Sequence, residues 1–270
     1  MSRIPQCFSQ LHSEGRKALI PFLTAGDPNM ETTLELMHAL VANGADIIEL
    51  GFPFTDPTSD GPVIQRAVER ALANNTSLKD VLATVSRFRQ ENNDTPIVLM
   101  GYLNPIECMG YQEFVDSCIE VGVDGVLIVD MPPEESHDLK IIVDKTSLDM
   151  IFLVAPTTSD ERARQICAQS SGYVYYVSLK GVTGAGNLDI ESVKSNLARF
   201  RSSTDLPIGV GFGIRDAETA AQIAAIADAV VVGSALINKI AELDANTSYN
   251  RDDLIKHIAL IREMRESMDN

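Results

Sequence analysis

The chain contains no tryptophan, only four cysteines and few aromatic side chains, 6% of its 270 residues. Cations are scarce too: 22 Lys and Arg stand against 38 Asp and Glu, a formal charge of −16 at pH 7. A surface of that sign repels a polyanion, which argues against nucleic acid as a partner. Cys7, Cys108, Cys118 and Cys167 are scattered without the C-x-x-C spacing of zinc or redox pairs and read as ordinary reduced thiols. The four histidines are as dispersed, so no metal site is expected. No apolar run approaches the roughly 18–20 residues that span a bilayer, and the strongest, 229–237, is interrupted by Gly233 and Ser234. Residues 1–15 mix Pro5, Glu14 and several polar side chains where a secretory signal needs a basic patch and then a greasy stretch. A cytoplasmic protein with no membrane association is expected.

The apolar content, 45%, is enough to bury a core, and the length suits one large domain or two small ones. Short β-branched runs recur, each followed by a segment of helical periodicity, the pattern of parallel strands joined by helical crossovers. Strands are predicted over 18–24, 46–52, 96–102, 125–130, 150–155, 173–178, 207–211 and 228–232. The clearest helices are predicted over 30–42, 62–73, 78–91, 111–121, 133–146, 160–169, 190–201 and 217–226, with a closing one over 252–268. A quasi-repeat runs through this alternation: GADIIEL from Gly44, GVDGVLIV from Gly122 and IADAVVV from Ile226 each end a helix and launch a strand. Eight βα units in a chain of this size imply a (β/α)8 TIM barrel, because eight parallel strands close without an edge. A doubly wound open sheet is the main rival. No composition shift, proline-rich linker or charge block marks a boundary, so residues 1–270 are expected to form a single barrel domain with extra short helices.

In such a barrel the active site lies at the C-terminal ends of the strands. The second strand holds Glu49, and its period of two puts Ile47, Glu49 and Gly51 on one face. If that face is the inner one, Gly51 leaves space for a ligand, and a carboxyl walled by aliphatic side chains has its pKa raised towards the range of proton transfer. The bland alternative is a structural Glu paired with a cation. The loop that follows offers Asp56 and Asp60 before Pro62, where either could simply cap a turn or a helix.

Glycine clusters mark the last three strand ends: KGVTGAG from Lys180, GFGIR from Gly211 and GSA from Gly233. Gly213, Gly233 and Ser234 let backbone N–H groups approach an anion, and Gly233-Ser234 opens a short helix whose dipole favours negative charge. The alternative is tight βα turns; three adjacent clusters where barrels commonly hold phosphate favour a phosphate site. No predicted strand carries the lysine a Schiff-base aldolase needs, and no strand end carries a histidine for a metal aldolase. Carboxylate acid–base work on a phosphorylated substrate remains. Phe22, Met100, Leu127, Val129, Leu153, Tyr175 and Val231 share the inward parity of the strand-end groups. They are either core filler or, with Phe212, the walls of a slot for a flat apolar ring.

The run IELGFPFTDPTSDG from Ile48 closely resembles the signature of the tryptophan synthase alpha subunit. PFLTAGDP from Pro21, MGYLNP from Met100, DMPPEE from Asp130, APTT from Ala155, GVTG from Gly181, GFGI from Gly211 and GSA from Gly233 resemble the same family, in order, over nearly the whole chain. One departure is Thr58-Ser59, where the family usually has an aliphatic residue followed by Ala.

The resemblance implies a lyase of tryptophan biosynthesis, which cleaves indole-3-glycerol phosphate to indole and glyceraldehyde 3-phosphate by a retro-aldol step without cofactor or metal. It implies that Glu49 is the acid/base and that Asp60 faces the indole N–H, with Tyr175 near the ring. Thr183 and Gly184 would belong to a mobile loop after the sixth strand, closing over the substrate to exclude water. It further implies an alpha2beta2 complex, in which a beta subunit carrying pyridoxal phosphate receives the indole. The loop 53–60 and the stretch around Asn104-Pro105 would meet that partner. Two alternatives are another phosphate-binding barrel enzyme and, of another class, a non-catalytic activating subunit; the intact Glu49 and Asp60 argue against the second.

Overall fold

A computed structural model describes residues 2–178, 189–211 and 213–270. Eight parallel strands run in sequence order around a closed barrel: β1 (Ala18–Thr24), β2 (Ile48–Gly51), β3 (Ile97–Gly101), β4 (Gly125–Ile128), β5 (Asp149–Val154), β6 (Val174–Val177), β7 (Ile208–Gly211) and β8 (Ala229–Val232). β8 pairs with β1, Ile20 opposite Val231, and that closure excludes the open sheet. All eight fall where the β-branched runs predict them, most of them shorter by one to three residues.

Helices Met30–Ala42, Pro62–Ala73, Tyr111–Val121, Asp160–Gln169 and Ile190–Arg201 have the expected bounds. Their ends are written in local chemistry. Asn29, Ser159 and Asp189 accept a backbone N–H of the first turn, Pro62 occupies it, and Gly122 takes the left-handed conformation that stops Tyr111–Val121. Two expected helices are broken. The segment 133–146 divides into a 3-10 turn, Pro133–Glu135, and a helix, His137–Val143, where the Ser136 hydroxyl turns back onto the Pro133 carbonyl at 2.8 Å. The tail is Arg251–His257 followed by Leu260–Asp269, because the backbone leaves helical geometry at the fully buried Ile258. Leu78–Arg89 and Ala217–Ala224 end two residues short of expectation, and Ile4–Ser13, Leu103–Met109 and Ser234–Ile240 complete the set among the described residues; of these last three only Ser234–Ile240 was foreseen.

The quasi-repeat has a structural meaning. Asp46, Asp124 and Asp228 each precede a strand, and each carboxylate accepts the backbone N–H of the strand before it: Leu19 at 2.8 Å, Ile97 at 2.9 Å and Ile208 at 2.8 Å. Each is also held by an arginine, Arg265, Arg89 and Arg201 respectively. These three clamps fasten the N-terminal rim of the barrel, the end that serves stability.

Helix Ile4–Ser13 plugs that rim. Its Ile4, Phe8 and Leu11 are buried against the inward side chains Ile20, Ile47, Val98, Leu127, Ile151 and Tyr173. Arg3 fixes the plug, its backbone N–H and guanidinium both donating to Asp124 Oδ1 at 2.9 Å. A larger apolar layer fills the space between strands and outer helices. The lumen is therefore packed from below and open only at the C-terminal mouth. Among the described residues no helix is long and apolar enough to cross a membrane.

Candidate active site

Glu49 points into the barrel, in register with Phe22 of β1 and Val98 of β3, and is wholly buried. The Tyr173 hydroxyl donates to its Oε1 at 2.5 Å, while Oε2 has no partner among the described residues. Burial in apolar surroundings disfavours the charged form and pushes the carboxyl from 4.5 up to about 7, against the opposing pull of the Tyr173 hydrogen bond. Among the described residues no cation pairs with it, which argues against the structural ion-pair alternative. Burial also holds the Tyr173 and Tyr175 hydroxyls well above their ordinary pKa, and both stay neutral.

The two aspartates of the following loop part company. Asp56 is exposed and accepts from the Thr55 hydroxyl at 2.6 Å, a local turn. Asp60 is turned inward, where its Oδ2 accepts from the Tyr102 hydroxyl at 3.0 Å. That hydroxyl in turn accepts the backbone N–H of Ser59 at 3.0 Å, and the Gln65 amide holds the Asp60 carbonyl at 2.8 Å. Burial raises the Asp60 carboxyl above its ordinary value, and the Tyr102 hydrogen bond opposes the rise. Since Ser59 is engaged through its backbone, the unusual Thr58-Ser59 pair leaves the carboxylate's anchorage intact.

Both carboxyl groups line one cleft at the barrel mouth, with Phe22, Ile64, Met100, Tyr175, Gly213, Ile214, Val231, Gly233 and Ser234. Its volume, about 90 Å³, is of the order of the roughly 150 Å³ apolar cavity that takes a benzene ring, and its mouth is open. A smaller recess adjoins it, with Val129 in its wall. Leu127 and Leu153 belong to the packed barrel interior and line neither space. Thr183, Gly184 and Phe212 lie outside the described residues.

One expectation is corrected. The space over Gly51 is filled by the Phe22 ring, since a Cβ there would stand 2.7 Å from it. Gly211 does the same service for Tyr175, whose hydroxyl would be 2.0 Å from a Cβ at that position. Both glycines make room for a wall of the cleft, and Gly51 also borders the adjoining recess.

Four side chains of the site escaped the sequence reading. Tyr173 shares the alternate face of Tyr175 and could have been found by parity. Tyr102 sits inside the motif MGYLNP, and Ile214 inside GFGI. Ile64 gave no signal beyond its place in the first turn of its helix.

Parallel strands closed on themselves, and a carboxyl held near neutral pKa beside a second one in an apolar cleft, define a (β/α)8 barrel whose mouth has the makings of an acid–base site. A family model described as tryptophan synthase alpha chain matches residues 8–269. The tryptophan synthase alpha chain of Thioalkalivibrio sulfidiphilus is 56% identical over 269 residues, 100% of both chains. That of Chromobacterium violaceum is 57% identical over 262 residues, 97% of this chain and 98% of the other. The crystal structure of tryptophan synthase subunit alpha from Legionella pneumophila matches with a TM-score of 0.90 at 44% identity, covering 100% of this chain and 99% of that one. The chain belongs to the tryptophan synthase alpha chain family.

Proposed function

We propose that Glu49 and Asp60 divide the chemistry of the family's reaction, the retro-aldol cleavage of indole-3-glycerol phosphate to indole and glyceraldehyde 3-phosphate. The observation that carries this reading is the Glu49 carboxyl: buried in the cleft, near pKa 7, with one oxygen held by Tyr173 and the other free. Such a group holds a proton at neutral pH and can give it up.

Glu49 donates its proton to indole C3, which leaves positive charge on the ring nitrogen. Asp60, oriented by Tyr102, faces that nitrogen and stabilises the charge as it forms. The carboxylate left on Glu49 then takes the proton of the neighbouring hydroxyl. Its O–H electrons form the aldehyde carbonyl, the bond from C3 breaks, and its electron pair returns to the ring. One proton is given and one recovered, so the residue ends as it began. The chain is read as one barrel domain needing neither cofactor nor metal, with pyridoxal phosphate on the beta subunit alone.

The apolar walls Phe22, Met100, Tyr175 and Val231 hold the ring, with Val129 at the adjoining recess. The backbone amides of Gly213, Gly233 and Ser234 receive the phosphate, and among the described residues, its chain neighbours aside, none comes within 4 Å of where a Cβ on Gly233 would stand. Thr183 and Gly184 are assigned to the lid by resemblance, and Phe212 to the ring contacts and Leu127 and Leu153 to the floor behind them by their sequence positions.

In the alpha2beta2 complex the product indole passes to the beta subunit. Tyr102 joins Asp60 and Ser59 to the start of helix Leu103–Met109, so both segments expected at the partner surface converge on one catalytic carboxylate. Partner binding can thereby set the position of Asp60. The test is turnover of indole-3-glycerol phosphate by the chain alone and with a beta subunit. Glu49→Gln and Asp60→Asn are expected to fold and to lose about 10²–10⁴-fold in rate. Near wild-type turnover in either variant removes that residue's role, and no gain with the beta subunit removes the coupling.

A further inference from the structure

We propose that the recess beside the cleft is a subsite for a small polar substituent, a hydroxyl, on the benzo ring of the substrate; this rests on the reaction assigned above. The recess and the cleft share four walls, Phe22, Asp60, Ile64 and Met100, so a ring lying in one has an edge towards the other. Beyond them the recess is walled by Phe52, Phe54 and Val129, and its volume is about 20 Å³, room for one water-sized group.

The Asp60 carboxylate and the Tyr102 hydroxyl in its wall are bonded to each other, and a third polar side chain lies beside them. Thr24 ends β1, two residues after Phe22 and on the same inward face, and is opposite Gly51 of β2. It is 1% exposed, and its Oγ1 has no hydrogen-bond partner among the described residues. Buried hydroxyls without a partner are uncommon because the lost hydration is not recovered. A ring hydroxyl entering the recess supplies the missing bond and fits the space; a bulkier group does not. Met100, half-buried and unbranched, stands between the two spaces and can shift to let the substituent pass.

Asp60 faces the ring nitrogen and is also a wall of the recess. The favoured substituent is therefore on the nitrogen side of the benzo ring, at C7 or its neighbour C6, and the opposite positions C4 and C5 point away.

The experiment compares kcat/KM for release of triose phosphate from indole-3-glycerol phosphate and its C4, C5, C6 and C7 hydroxyl derivatives, using the chain in complex with its beta subunit. In the wild type a C6 or C7 hydroxyl substrate is cleaved within about tenfold of the parent, and the C4 and C5 isomers are poorer. Thr24→Val, which keeps the shape and removes the hydroxyl, leaves the parent rate unchanged and lowers the favoured isomer about tenfold. Thr24→Ser restores it. Because each isomer is compared across variants, the electronic effect of the substituent cancels. An unchanged ratio of isomer to parent in Thr24→Val overturns the subsite and assigns the recess to a bound water. No preference among the four isomers overturns it as well. If the wild-type complex fails to cleave the parent substrate, the underlying reaction assignment falls, and the subsite with it.

Discussion

Replacing Glu49 by Gln should cost activity and, above neutral pH, return stability. Glu49 is wholly buried and its carboxyl is raised from 4.5 to about 7 by loss of hydration. The unfolded chain releases this proton near the ordinary value, while the folded chain keeps it until about pH 7. Between those limits the folded state binds more protons than the unfolded one, so stability falls as pH rises and levels off above the folded value. At about 1.4 kcal/mol per pH unit the whole penalty is about 3 kcal/mol. About 2 kcal/mol of it develops between about pH 5.5 and about pH 8.5, a range clear of the acid limit of folding. Gln has nearly the same shape, can still accept from Tyr173 and does not ionise. Its own buried amide adds an offset that is the same at every pH. Urea unfolding of wild type and Glu49→Gln across that range should therefore show the variant gaining about 2 kcal/mol relative to wild type as pH rises. A difference that stays flat with pH would refute the raised carboxyl, and with it the acid role.

Tyr173→Phe removes the one hydrogen bond that favours the charged form of Glu49, so its pKa should climb further above about 7. As proton donor Glu49 is active when protonated, and the alkaline limb of the kcat/KM–pH profile should move up by about one to two units; an unmoved limb counts against the contact. Gly233→Val projects a side chain into open space at the phosphate end, so KM for indole-3-glycerol phosphate should rise about tenfold or more with Tm unchanged, and an unaltered KM would put the anion elsewhere. Asp124→Asn leaves Arg89 buried without its counter-charge and should destabilise by about 3–5 kcal/mol in urea while kcat/KM is nearly unaffected; a loss of rate at unchanged stability would contradict the clamp.

The barrel was legible because its signals are local and repeated. Each β-branched run needs a helix to carry the chain back, and eight such units favour closure over an open sheet, which the pairing of β8 with β1 then excludes. The helix Ile4–Ser13 was missed although Ile4, Phe8 and Leu11 follow helical spacing: its apolar face meets the barrel floor, a contact between distant parts of the chain. Asp60 could not be separated from Asp56 by residue type, since what distinguishes them is a hydroxyl 42 residues further on, that of Tyr102. Glu49 was found by parity alone, and the same rule reaches Tyr173. The role expected of Gly51 was wrong because a missing side chain tells only that something comes close. Whether that neighbour is a ligand or the Phe22 ring is decided across strands.

The plug and the acid group form a single column. Phe8 lies 6.0 Å from the ring of Tyr173, measured between centroids, and the far tip of that tyrosine grips Glu49. The height at which the proton donor stands is thus gauged from beneath, by a helix at the opposite end of the molecule from the substrate. Lengthening or trimming the chain's leading residues is a change to the reaction centre transmitted through two aromatic rings tilted against each other.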